Sequence, residues 1–283
     1  MALIPPEFLD CVTAIGFRDA QATINFGATG FLFGKLTKVG ATPDKNEYRV
    51  YLVTNRHVFE GSTVAVLRFN PQAGAPAKLY DLNLVDSAGV QLYSLHPDPT
   101  VDVAAIDINI NLLEQHNIQF SFFAGDLHVM TLPKAQQHNI CEGDGVFVLG
   151  FPFGDPGNQR NYVIVRQGIL ARIRDAVAGS SPTFLVDASI FPGNSGGPVV
   201  TKPEVVSIQG TTAYSKADLI GIVSAYVPYQ DVAISTQTKR PRIIFEENSG
   251  LAIVVPADRI VEVVDAADAV VVARLAASST ANH

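Results

Sequence analysis

Cysteine is scarce in this chain. Of its 283 residues only Cys11 and Cys141 carry a thiol, too few for the disulfide-stapled design common among small secreted scaffolds. Lying far apart in apolar surroundings, they read as buried free thiols. Charge is sparse too: 17% of residues are charged against 47% hydrophobic, a balance that excludes a disordered protein. The net charge of −7 gives no general attraction to nucleic acid, and no Lys/Arg-rich run is long enough to offset it. No apolar segment approaches the length of a membrane span. Residues 1–7, Met-Ala-Leu-Ile-Pro-Pro-Glu, lack the basic start and apolar core of a signal peptide. These absences predict a cytoplasmic protein without nucleic-acid or membrane partners. The six histidines are not closely paired and the cysteines are distant, so neither a metal site nor a cofactor is expected.

What is present is strand signal. Residues 11–17, 27–36, 48–54, 63–69 and 102–110 are rich in Val, Ile, Leu and Phe, with turn residues between them. A second group covers 146–150, 162–172, 183–188, 198–201 and 219–226. Helical pattern is confined to the end, where Pro256 precedes Ala257-Asp258-Arg259-Ile260-Val261-Glu262. Residues 227–249, which include Lys239-Arg240-Pro241-Arg242, read first as a solvated loop and second as a rim that binds substrate or a regulator near the pocket, and residues 278–283 read as a disordered tail. The length suits one large all-β domain.

The most informative segment is Phe191-Pro192-Gly193-Asn194-Ser195-Gly196-Gly197-Pro198-Val199. A serine among glycines ahead of a valine-rich strand is how a backbone presents a nucleophilic hydroxyl. Gly193 lets its own N–H and that of Ser195 point at one spot, an oxyanion hole. The same composition also suits a tight turn, so partners decide. A serine needs a base, and the base needs an orienting group. His57 follows the strand-like run Tyr48-Arg49-Val50-Tyr51-Leu52-Val53-Thr54, at the mouth of a rigid element. His96 sits in a turn-like stretch, His116, His128 and His138 in polar irregular sequence, and His283 at the terminus. Asp102, flanked by Val101 and Val103, is a partly desolvated carboxylate in need of a partner; Asp98 and Asp107 are its rivals by position. The segment also fits the loose Gly-x-Ser-x-Gly elbow, whose fold runs nucleophile, acid, histidine. Only His283 follows Ser195, so that order fails; the order here is His57, Asp102, Ser195.

With this order the chain resembles the trypsin-like serine peptidases, closest in style to the HtrA/Deg branch. Leu52-Val53-Thr54-Asn55-Arg56-His57-Val58 resembles the branch's histidine segment, and Asp102-Val103-Ala104-Ala105-Ile106 its aspartate segment. Gly145-Val146-Phe147-Val148-Leu149-Gly150-Phe151-Pro152-Phe153-Gly154 resembles the opening of its second barrel. Residues 187–198 resemble the nucleophile segment.

The resemblance implies an all-β fold of two six-stranded antiparallel barrels with a C-terminal helix. Lobe one would cover about 10–112, a connection 113–140, lobe two about 141–256, and the helix and tail 257–283, all in one peptidase domain. It implies a serine endopeptidase with His57, Asp102 and Ser195 as triad, and Gly193 and Ser195 as oxyanion donors. The substrate pocket would be built by Ser189, Ile190, Ser224, Ala225 and Tyr226. With no carboxylate at the floor position Ser189, the pocket suits small or medium uncharged P1 side chains. The partners would be a protein or peptide substrate and a regulatory protein. Two departures matter. Asn194 stands where secreted relatives have an Asp that pairs with a new N-terminal amine, so activation by propeptide cleavage is not expected. Little sequence follows the protease-like part, so the PDZ domain usual in that branch is not expected. The rival reading is a catalytically silent binding module on the same fold.

Overall fold

The computed structural model describes residues 3–280. After a short helix α1 (Pro6–Leu9), the chain builds a curled antiparallel sheet from β1 (Val12–Arg18), β2 (Ile24–Lys38), β3 (Glu47–Thr54), β4 (Val64–Phe69), β5 (Lys78–Asn83), β6 (Ser94–Leu95) and β7 (Ala104–Asp107). Its order is β5-β4-β1-β2-β3-β7-β6, and a short strand β8 (Phe123–Ala124) adds to β2 in parallel. Helix α2 (Arg56–Phe59) follows β3 directly, α3 (Ile110–Gln115) follows β7, and α4 (Leu132–Gln137) precedes lobe two. Eight strands stand where six were expected, because β6 and β8 are only two residues long and leave no run of apolar residues to read. No ladder joins β5 to β6. The segment between them turns back instead, with the Leu92 N–H donating to the Leu84 carbonyl at 2.9 Å.

Lobe two is a closed six-stranded barrel in the order β10-β11-β14-β13-β12-β9. Its strands are β9 (Gly145–Gly150), β10 (Ile164–Arg172), β11 (Phe184–Asp187), β12 (Pro198–Thr201), β13 (Leu219–Ile234) and β14 (Pro241–Pro256), with the short helix α5 (Arg174–Val177) between β10 and β11. The long helix α6 (Ala257–Thr280) follows β14 without a break. It buries Ala257, Ile260, Val263, Val264 and Ala267, a helical spacing, in the same cluster as Phe31, Phe123, Leu149, Phe151 and Val255. That cluster holds residues of both lobes, so the helix packs over their junction. Burying each large side chain there contributes about 1.5–3 kcal/mol. Asp268 of α6 also accepts from Arg49 and, at 2.9 Å, from the Tyr51 hydroxyl, tying the helix to β3.

Four expectations need correction. The strand expected at 102–110 shrinks to β7, because Asn109 caps α3 by accepting the Leu112 N–H. Residues 227–249 are not a loop: β13 and β14 run on past the barrel as a paired ribbon, with Val232 opposite Ile244 and Asp231 opposite Phe245. Neither half shows a strand pattern strong enough to announce its partner. Helix α6 reaches Thr280 where a disordered tail was expected from 278, while His283 lies outside the described residues. Finally, Cys11 is buried but Cys141 is exposed; both are free.

Candidate active site

Strand β3 is buried from Val50 to Thr54 and ends there. The turn of α2 then swings His57 out of the sheet toward the groove between the lobes. Asp102 lies in the connection just before β7, and three contacts lock it to the histidine segment. The His57 backbone N–H donates to Asp102 Oδ1 at 3.1 Å, His57 Nδ1 meets Oδ2 at 2.8 Å, and Asn55 Nδ2 donates to the Asp102 carbonyl at 2.8 Å. With Nδ1–H turned to the carboxylate, the neutral ring keeps its Nε2 lone pair free. The hydrogen bond to Asp102 raises the imidazole pKa above its ordinary value, despite partial burial. Burial opposes ionisation of Asp102, but the hydrogen bonds from His57 and from the Ser224 hydroxyl outweigh it and hold the carboxyl below its usual range. The Ser224 bond to Oδ2 is 2.6 Å long and comes from lobe two.

Ser195 stands on the loop between β11 and β12. With His57, Asp102, Ile190, Phe191, Pro192, Val223, Ser224, Ala225 and Tyr226 it lines one cavity of about 370 Å³. Among the described residues no hydrogen bond joins Ser195 to His57; the two share the cavity wall. The loop around the serine is pinned carbonyl by carbonyl. The Pro192 carbonyl accepts from the Phe153 N–H at 2.6 Å, that of Asn194 from the Gly197 N–H at 2.8 Å, and that of Ser195 from the Thr29 N–H at 2.9 Å. The Gly193 carbonyl accepts from the Thr29 hydroxyl at 2.7 Å. No acceptor among the described residues takes the N–H of Gly193 or Ser195, so both amides are available to a negative oxygen. Gly193 has φ +101°, a left-handed conformation costly for other residues.

Thr29 is the participant that sequence reasoning missed. It is fully buried on β2 of lobe one, yet three of its contacts reach lobe two: the two bonds above, and the Phe151 N–H, which donates to its hydroxyl at 3.1 Å. Its own carbonyl accepts from Thr54 Oγ1 at 2.8 Å. A Cβ added at Gly196 (φ +83°) would run into the Thr29 carbonyl and the Thr54 hydroxyl. Nothing in Gly27-Ala28-Thr29-Gly30 marks the threonine, because its lobe-two partners lie more than a hundred residues away.

The other expected residues divide. Ile190, Ser224, Ala225 and Tyr226 line the cavity, whereas Ser189 is exposed and outside the lining. Asp98 bonds Thr100, and Asp107 is exposed on β7, so neither meets His57. His96 is buried and pairs with Glu262 of α6 at 2.7 Å. Asn194 is buried, a neutral side chain where a carboxylate would need a cationic partner. The cavity's only carboxylate, Asp102, is committed to His57 and Ser224.

Known proteins of similar sequence and fold identify the family. A trypsin-like peptidase domain matches residues 28–206. A probable periplasmic serine endoprotease, DegP-like, of Pseudomonas fluorescens is 29% identical over 194 residues, covering 67% of this chain and 33% of that protein. The serine protease Do-like HtrA of Bacillus subtilis is 25% identical over 233 residues, covering 77% of this chain and 44% of that one. The chain thus spans less than half the length of these relatives. The solved structure of human heparin binding protein superposes with TM-score 0.51 at 10% identity, covering 94% of each chain, a likeness of fold alone.

Proposed function

The chain belongs to the trypsin-like peptidase family, and we propose that it is a serine endopeptidase acting through His57, Asp102 and Ser195. One observation carries this reading: an imidazole locked on a partly buried carboxylate shares a cavity wall with a serine whose flanking amides have no acceptor among the described residues. His57 Nε2 takes the Ser195 proton as Oγ attacks the scissile carbonyl. The tetrahedral oxyanion forms against the amides of Gly193 and Ser195, where loss of one donor typically costs ~3 kcal/mol of transition-state stabilisation. The imidazolium, its charge balanced by Asp102, then protonates the leaving amine and an acyl-enzyme results. Water, deprotonated by His57, hydrolyses that ester and restores the serine.

Preference for small or medium uncharged P1 residues is part of the proposal. Its support is the apolar lining by Ile190 and Val223 and the lack of an uncommitted carboxylate. A peptide library in which Arg or Lys proved best at P1 refutes it. A cytoplasmic setting also belongs to this reading, supported by two unpaired cysteines. No helix among the described residues is long and apolar enough to cross a membrane. Fractionation of producing cells that placed the protein outside the cytoplasm would refute that setting.

The decisive experiment is fluorophosphonate labelling of the wild type and of Ser195→Ala. The wild type should be labelled and cleave unfolded protein, and the variant should do neither while keeping its fold. An unlabelled wild type would favour the silent binding module.

A further inference from the structure

The strand that walls the cavity does not stop there. Residues 223–226 of β13 line the site, and the same strand runs on to Ile234, paired with β14. Beyond Ile222 on β13 and before Leu251 on β14, these strands have no ladder neighbour but each other among the described residues. The projecting ribbon, about 20 Å long for the paired residues 228–234 at ~3.4 Å per residue, therefore carries backbone groups without a ladder partner on both edges, the Val232 N–H alone being taken by the Asp231 carboxylate at 2.8 Å. Its side chains are as unusual. Tyr229, Ile234, Ile243, Ile244 and Phe245 are each more than half exposed, from 53% to 62%. Ile244 and Val232 share one face, while Phe245 and Ile243 share the other. An open, apolar ribbon edge is what proteins normally blunt with charge or cover. The root is fixed to the site: Asn248 donates to the Ile190 carbonyl, and the Tyr226 hydroxyl donates to Glu246 at 2.9 Å.

We propose that this arm is an extended binding edge for the N-terminal side of an unfolded, apolar polypeptide substrate, an inference that rests on the hydrolase reading of the cavity. Direction supports that occupant. β13 runs outward from Ser224 to Ile234, so a chain pairing antiparallel with it runs inward. Its carbonyl end arrives at Ser195 and its N-terminal residues lie along the arm. Main-chain pairing supplies affinity without demanding a sequence, and alternate apolar side chains meet the exposed faces. The substrate class is thus an extended segment rich in Val, Ile, Thr and aromatic residues, as exposed by unfolded proteins, rather than a short peptide.

The test measures binding, so that it stands apart from catalysis. On the full Ser195→Ala chain, anisotropy compares two labelled peptides: one of about twelve Val-, Ile-, Thr- and Phe-rich residues, long enough to reach along the arm, and its C-terminal few residues alone. The long peptide should bind at least about tenfold more tightly. Two variants remove the advantage. In one, residues 231–245 are replaced by Asn-Gly, a two-residue loop between the register partners Gln230 and Glu246. In the other, Val232→Lys, Ile243→Lys and Ile244→Lys leave the arm intact but charge both faces. Equal binding of the two peptides to the unaltered arm overturns the proposal, as does an advantage that survives both variants. A change in particle mass on shortening the arm, with peptide affinities unaltered, assigns the edge to self-association and also overturns it. If the wild type resists fluorophosphonate, the hydrolase reading fails while anisotropy still decides the arm.

Discussion

The two lobes solve their halves of the site differently. Lobe one presents the proposed base and its carboxylate mostly by local means: β3 ends, one helical turn follows, and the backbone and ring of His57 both grip Asp102. Lobe two presents the proposed nucleophile on a loop whose carbonyls are pinned in part from the other lobe, by Thr29 on β2. The debt is mutual, since Ser224 of lobe two completes the hydrogen bonding of Asp102. Neither half is finished by its own lobe. The site's precision lies in a few buried and partly buried cross-lobe hydrogen bonds, and these can be broken one at a time.

The largest effect is expected from Gly196→Ala. It combines a left-handed φ with a clash against lobe-one atoms. Loss of more than about 4 kcal/mol of stability, the range reserved for such strain, should appear in denaturant unfolding. Retention of full stability would show that the lobes can part at this seam. Next comes Thr29→Val, which keeps the shape but strands the buried Gly193 carbonyl and Phe151 N–H. In steady-state kinetics kcat should fall about 10- to 100-fold, the scale of a damaged oxyanion site, with KM little changed, and Thr29→Ser should restore most of it. An equal loss in both variants would reduce Thr29 to a packing role.

Ser224→Ala should cost less, roughly 0.5–1.5 kcal/mol in kcat/KM for one hydrogen bond. It also sharpens the pH behaviour. His57 has a raised pKa and must be neutral to serve as the proposed base, so activity should rise through a midpoint above about 6.5 and fall below it. Without the Ser224 donor the carboxylate holds the imidazolium more firmly, and the midpoint should move further up; a downward move contradicts the assignment. Stability runs the opposite way. The ion pair's contribution is complete below the unfolded-state pKa and is lost as pH rises through the folded one, so the most active form lacks it. The smallest effect on activity, none, is expected from Cys141→Ser. In native protein Cys141 should react with a thiol reagent, whereas Cys11, buried and with its thiol pKa pushed far up by desolvation, should react only on unfolding.

The strand-rich character and the C-terminal helix were legible along the chain, and so were the three positions proposed as catalytic. Those signals are local: alternating or continuous apolar runs, a glycine-framed serine, a histidine after a strand, an aspartate before one. Tertiary structure alone decided what depends on partners distant in sequence. Thr29 gained its role from a loop in the other lobe, Ser224 turned from cavity wall into a donor to Asp102, and Cys141 proved exposed. The stretch 227–249 became a paired arm because strand formation there needs a facing strand, and no single run of residues carries that information. Side-chain type and spacing are written along the chain, but which buried donor meets which carbonyl is settled only when the two lobes close on each other.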